Sequence, residues 1–282
     1  MTDRQISPRG GRAVILGLVA SQRRLGNCEL FVKEVSNQLP FDHHLQLIRL
    51  PSLDIRPCAG CYRCLADGAC PLDDDLSFLR EKIAAADALV VAAPVYFLGA
   101  HASLKTLLDR GFAFFSTIAR THRKPAVLAS TYGIADRVGV APQTIRAFAS
   151  FLCLDVRAEV RIQAALPGEV LTKDKNRRLV ARAARALSGE RSVMPRGCPF
   201  CGNDIWRRKG RGFICTLCHG GFTMDGSGRP QAVRAGWQVG DAEFIAAHRE
   251  WLKGMKDRFV QHRKEILRVT LQYKDMGEWL EP

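Results

Sequence analysis

Apolar residues in the first two-thirds of the chain follow two alternating periodicities. Strand-like runs occupy 13–19, 44–49, 88–93, 125–130 and 156–163. The first three are rich in β-branched residues or Leu and bounded by Gly, Pro or polar residues, as buried strands are. Between and after these runs, 28–38, 75–86, 101–117, 139–152 and 172–187 carry helical spacing. Strand–helix alternation of this length predicts a five-stranded parallel sheet, doubly wound with helices on both faces. Such sheets take ligands beyond the carboxyl ends of their strands. The pattern breaks at 191–228, where paired CxxC knuckles, many Gly and a burst of Arg appear. After a connector at 229–240, apolar residues recur at 244, 247, 251, 252, 255, 259 and 266 with charges between them. That spacing predicts an amphipathic helix from Asp241, its N-cap, to about Met276. It is expected to pack on the chain's own core or a partner subunit's, not on a membrane. The predicted division is a polar tail at 1–12, an α/β domain at 13–190 with a cysteine loop at 50–74, a metal ribbon at 191–228, and the connector and helix at 229–282.

Composition changes this picture in two respects. The 282 residues are 47% hydrophobic and 25% charged, ordinary for a globular protein with a core, but the formal net charge is +14. A basic excess suits either general solubility or anionic partners such as phosphate-bearing cofactors, nucleic acid or acidic proteins. No apolar stretch reaches the roughly 18 residues of a membrane span. Arg4, Arg9 and Arg12 before the apolar run Ala13–Ala20 imitate a signal peptide. The run is short, however, and enters Ser21-Gln22-Arg23-Arg24 without a small-residue cleavage pattern. It reads as a buried first strand, and the expected location is the cytoplasm.

Eight of the ten cysteines fall in two tight clusters, which suits metal ligation better than a disulfide framework. Cys58, Cys61, Cys64 and Cys70 have CxxCxxCx5C spacing followed by Pro71. Three cysteines at intervals of three wrap one face of a cubane and the fourth closes it, so a [4Fe–4S] cluster is favoured over zinc or redox-active thiols. Cys198, Cys201, Cys215 and Cys218 form CxxC-x13-CxxC, the spacing of a four-thiolate zinc ribbon, with rubredoxin-like iron as the alternative. Trp206 and Phe213 lie among Arg177, Arg178, Arg182, Arg185, Arg191, Arg196, Arg207, Arg208, Lys209 and Arg211. That mixture is either a nucleic-acid surface or, more simply, a solvated basic face.

Two loops after predicted strands carry a family resemblance. Ala20-Ser21-Gln22-Arg23-Arg24-Leu25-Gly26-Asn27-Cys28 suits one phosphate, with hydrogen-bond donors at Ser21 and Asn27, charge at Arg23 and a helix start beyond. Pro94-Val95-Tyr96-Phe97-Leu98-Gly99 precedes Leu104-Lys105 and Asp109-Arg110. Together these runs resemble the phosphate and ring loops of the NADPH-dependent FMN reductase and iron–sulfur flavoprotein branch of the flavodoxin superfamily. Ala20 and Cys28 depart from that pattern, and Ser130-Thr131-Tyr132-Gly133 has only Gly133 where the family carries a Gly-rich run. The resemblance covers about residues 13–190. It implies a flavodoxin-like fold with FMN held by Ser21, Arg23, Asn27, Cys28, Pro94, Val95, Tyr96, Phe97, Thr131 and Gly133. It also implies a cluster at a subunit interface, hence a homo-oligomer.

The expected function is an FMN-dependent oxidoreductase or electron-transfer flavoprotein, with NAD(P)H or a redox protein partner as electron donor. No acid–base residue is nominated, because the cofactors carry the chemistry. Two alternatives are a redox-sensing regulator that binds nucleic acid or protein through the ribbon, and an FMN or quinone reductase whose metal site is only structural.

Overall fold

The computed structural model describes residue 6 and residues 11–190, 197–236, 242–273 and 276. Most of the predicted polar tail, Arg191, Arg196 and Asp241 lie outside these residues. The first compact unit spans Met1–Ala242 and the second Glu243–Pro282.

In chain order the elements are β1 (Ala13–Val19), α1 (Asn27–Asn37), β2 (His43–Arg49), α2 (Arg63–Asp67), α3 (Leu76–Ala85), β3 (Ala88–Tyr96), β4 (Gly99–Ala100), α4 (Ala102–Asp109), α5 (Ile118–Thr121), β5 (Pro125–Tyr132), α6 (Ala141–Phe151), β6 (Asp155–Gln163), α7 (Glu169–Thr172) and α8 (Asp174–Ser188). The ribbon adds β7 (Trp206–Lys209), β8 (Gly212–Cys215), β9 (Gly221–Met224) and β10 (Pro230–Arg234), and α9 (Ala242–Thr270) follows.

The main sheet runs β2-β1-β3-β5-β6 with every pair parallel, the flavodoxin-like order. Strand residues alternate between its two faces. Ile15, Val90, Val127 and Val160 pack with Phe31, Val32 and Val35 of α1 and Val180 and Leu187 of α8. Leu16, Leu89, Val91 and Leu128 pack with Leu79 and Ile83 of α3, Leu104 of α4 and Ile145 and Phe148 of α6. Each fully buried side chain of this size stabilises the fold by about 1.5–3 kcal/mol.

Two features depart from the sequence pattern. The predicted helix 101–117 breaks after Asp109, and Gly111–Thr117 winds as a 3₁₀ segment before α5. Three residues per turn stacks i on i+3, and Phe112 meets Phe115 at 5.4 Å while Phe114 is buried against Phe151. The other departure is that β3 continues through Pro94 to Tyr96 and turns back into β4, which pairs antiparallel with it. The two loop residues, Phe97 (φ 47) and Leu98 (φ 66), both lie in the left-handed region. A tight two-residue hairpin needs that backbone, but it favours Gly or Asn.

The ribbon is a four-stranded antiparallel sheet ordered β10-β9-β8-β7, with a small core of Cys198, Cys215, Cys218 and Phe222. It docks on α6 and the edge strand β6. Arg146 and Glu159, both almost fully buried, form an ion pair at 2.7 Å, and Arg146 also donates to the Cys201 carbonyl at 2.8 Å. Gln143 donates to Thr216 at 2.7 Å, and Arg161 bridges Glu159 and Asp204. Among the described residues, no helix is long and apolar enough to cross a membrane.

Candidate functional site

The loop between β1 and α1 is braced from outside. Arg49, at the end of β2, donates to the carbonyls of Ser21 (2.6 Å) and Arg23 (3.1 Å) and pairs with Glu29 (2.6 Å). Glu29 also accepts from the Leu25 N–H and from Lys33. Burial pushes the Glu29 carboxyl up, but the bonds from Lys33, Arg49 and the Leu25 N–H outweigh it and bring the pKa down to about 2. Arg49 and Glu29 give no signal in the sequence pattern, because their roles arise where two elements meet.

The nominated residues come together unequally. Ser21 is buried and accepts from the Arg23 N–H, while the Arg23 side chain is exposed. Asn27 is buried, and its side-chain amide is committed elsewhere. It donates to the carbonyls of Ala164 and Leu166 and accepts from the Val170 N–H. It therefore ties the loop after β1 to the loop after β6, so Arg23 and the backbone N–H groups opening α1 are the groups left that could hold an anion. Cys28 lies 3.2 Å from the Thr131 hydroxyl, joining the loops after β1 and β5. Burial raises its thiol pKa to about 11, so it stays protonated. Pro94 is the parallel neighbour of Thr131 across β3 and β5, and Gly133 lies against Ala165.

Beyond these loops the carboxyl edge exposes apolar groups: Tyr96 (54% exposed), Phe97 (106%), Leu98 and, on the facing loops, Leu25, Ile134 and Leu166. The hairpin is clamped from behind. The Val140 N–H donates to the Leu98 carbonyl at 2.7 Å, and a Cβ on Gly139 would sit 2.2 Å from that oxygen. An open apolar rim beside a helix start and an arginine fits a flat ring carrying a phosphate. His101, unremarked in the sequence, caps α4 through Nδ1. It helps line a cleft of about 330 Å³ with Gln22, Leu50 and Ile55, and burial lowers its pKa.

The first cysteine loop leaves the same edge after β2. Cys58, Cys61, Cys64 and Cys70 wall one cavity of about 180 Å³ together with Tyr62 and Arg110. Arg110 is almost fully buried, pairs with Asp74 at 2.6 Å and donates to the Arg56 carbonyl at 2.6 Å. Desolvation acts to lower its pKa, but Asp74 and Cys70 beside it raise the pKa. Its Nε is buried without a hydrogen-bond partner. A cationic donor against the cysteine cavity suits an anionic thiolate centre.

The second cluster has a different geometry. All four sulfurs of Cys198, Cys201, Cys215 and Cys218 lie within 4.8 Å of one another, with 3.5 Å for Cys198–Cys218 and 3.6 Å for Cys201–Cys215. One tetrahedral ion with metal–sulfur bonds of about 2.3 Å requires sulfur separations of about 3.8 Å, so a mononuclear centre fits. The knuckles match each other. Gly202 donates to the Cys198 carbonyl and His219 to that of Cys215, and both residues have positive φ (72° and 58°). N–H groups of Leu217 and Gly220 reach the sulfurs of Cys215 and Cys218 at 3.4 Å. A Cβ on Gly220 would collide with Phe200 at 2.4 Å. Trp206 and Phe213 pack on Phe222 at 5.6 and 5.7 Å, so these rings serve the ribbon's own core.

Residues 13–167 match the family described as NADPH-dependent FMN reductase, and the chain belongs to that family. An iron–sulfur flavoprotein of Methanocaldococcus jannaschii is 36% identical over 97 residues, 34% of this chain and 50% of that protein. One from Methanosarcina thermophila is 34% identical over 128 residues, 44% of this chain and 62% of that protein. The chain spans about half the length of the curated relatives it matches. A solved flavone reductase is similar in fold, with TM-score 0.69 at 17% identity over 95% of this chain and 99% of that one.

Proposed function

We propose that the chain is an FMN-dependent oxidoreductase that moves electrons between NAD(P)H or a redox protein, FMN and a [4Fe–4S] cluster. The observation that carries this reading is a shared location. The braced anion loop after β1, the apolar hairpin after β3 and the four-cysteine cavity after β2 all open on the carboxyl edge of one sheet. FMN would supply the exchange between hydride and single-electron chemistry, and the cluster a one-electron store.

The chain's own residues bind and orient. Arg23 and the N–H groups opening α1 would hold the phosphate, with Ser21 and Asn27 fixing the loop. Pro94, Val95, Tyr96 and Phe97 would cover the ring. Thr131 and Cys28 hold adjacent loops together, and Gly133 stands in the third loop against Ala165, where a Cβ would make only ordinary contact. Cys58, Cys61, Cys64 and Cys70 would ligate the cluster, with Arg110 offsetting its charge. Cys198, Cys201, Cys215 and Cys218 would hold zinc, which stabilises the ribbon against α6 and β6. The chain would work in the cytoplasm as a homo-oligomer. The domain division at about 190 belongs to the same reading, whereas the ribbon runs past the expected end at 228 through β10 to Arg234.

The test is anaerobic turnover with NADPH and a one-electron acceptor. Cys58→Ser should keep FMN and the reduction of flavin by NADPH but lose most transfer to the acceptor. Undiminished transfer in that variant would reduce the first cluster to a structural site.

A further inference from the structure

We infer that α9 is a coiled-coil element that pairs antiparallel with the same helix of a second copy of this chain. Ile245, His248, Leu252, Met255, Phe259, His262, Ile266, Val269 and Tyr273 follow one another at strictly alternating spacings of three and four residues. Their mean repeat is 3.5 residues, whereas a straight helix turns once in 3.6. A seam with that repeat drifts about 20° per heptad on a lone helix and stays in contact only with a partner helix that supercoils around it. The second half of the seam is open: within α9 Phe259 is 48% exposed and Val269 54%, and Tyr273, in the 3₁₀ turn that follows the helix, 62%. Met255, Phe259, His262, Ile266 and Val269 line one continuous groove along it.

The flanking charges select the partner and its direction. With Ile245 as the first seam position, one flank carries Arg258 and Glu265 and the other Arg249, Lys256 and Arg263. Basic residues on both flanks disfavour an apolar core as the occupant. A parallel pair would set Arg258 against Arg263 of the partner subunit, a repulsion repeated by symmetry. An antiparallel pair centred between Val260 and Gln261 stacks Phe259 on His262 of the partner subunit and Met255 on Ile266 of the partner subunit. It also brings Arg258 to Glu265 of the partner subunit, twice over the two-fold axis. The opposite flank then holds Lys256 against Arg263 of the partner subunit, whose long stems can lie over apolar surface. Antiparallel pairing is therefore the arrangement with an attractive term.

Sedimentation equilibrium on the full-length chain tests this without reference to the flavin site. Phe259→Glu combined with Ile266→Glu should remove one step of self-association while flavin and metal content stay those of the wild type. Glu265→Arg alone should weaken association at least about tenfold, and adding Arg258→Glu should restore it. A wild-type chain that does not self-associate, or a Glu/Glu variant with the wild-type association state, would overturn the pairing. Unchanged association in Glu265→Arg would overturn the antiparallel direction.

Discussion

Glu29 stands in the first turn of α1 with its side chain 9% exposed, and its charge is held by Lys33, Arg49 and the Leu25 N–H. Its pKa is lowered to about 2 in the folded chain from 4.5. Stability from this group is therefore fully present above about pH 4.5 and is lost as pH falls towards 2. Glu29→Gln should cost about 1–2 kcal/mol at pH 7, a figure reduced for the site's shallow position, and almost nothing at pH 2. Urea unfolding at the two pH values measures the difference. A second contrast involves Arg110. Asp74→Asn leaves that buried guanidinium without its counter-charge and should cost about 3–5 kcal/mol. Asp109→Asn, in the exposed pair with Lys105, should cost less than about 1 kcal/mol. Thermal unfolding of the two variants side by side checks this. The ribbon's four-sulfur site was legible in the sequence because residue type and spacing together specify ligation, and the fold brings Cys198, Cys201, Cys215 and Cys218 together. The pairings of Arg49 with Glu29 and of Arg110 with Asp74 were not, although Asp109-Arg110 carries part of the family resemblance, since they act across sequence separations of 20 and 36 residues that only the fold closes.

At the scale of elements, the five parallel strands were readable to within a few residues: the central β1, β3 and β5 are buried on both faces and leave apolar runs, while the edge strand β6 alternates Val156, Ala158, Val160 and Ile162 with polar residues. The end of β3 was not, since Pro94 ordinarily ends a strand; here it keeps its place beside Thr131 of β5, while β1 on the other side has already ended opposite Ala92. The same hairpin yields a prediction. Phe97 is fully exposed and holds a left-handed backbone that glycine accepts without strain. Phe97→Gly should raise the stability of the flavin-free protein by about 1 kcal/mol and weaken FMN binding at least about threefold. Calorimetry of the stripped protein and flavin titration read the two effects, and unchanged FMN affinity would remove Phe97 from the ring site. The ribbon's docking was equally hidden: it depends on Arg146 reaching Glu159 and the Cys201 carbonyl from another element.

Across the whole molecule, one sheet edge gathers the Arg49-braced loop after β1, an apolar hairpin and a cysteine cavity, while the ribbon docks on α6 and the edge strand β6 and α9 forms a unit of its own. The basic charge of +14 has no single location: Arg207, Arg208, Lys209 and Arg211 are exposed at the β7–β8 hairpin, and α9 carries more. The aromatic rings near that hairpin are occupied inside the ribbon, which leaves charge alone as the support for a nucleic-acid role. Such binding should be weak and vanish at moderate salt, as an electrophoretic titration with a generic duplex would register.

The proposed function places two metal centres of different nuclearity in one flavin-binding chain. Anaerobic purification followed by a visible spectrum and analysis of iron, zinc and acid-labile sulfide tests it directly. The prediction is flavin bands, a broad shoulder bleached by dithionite, about four iron and four sulfide per chain, and about one zinc. Flavin with no iron or sulfide and two zinc per chain would contradict it, leaving a zinc-stabilised flavin reductase.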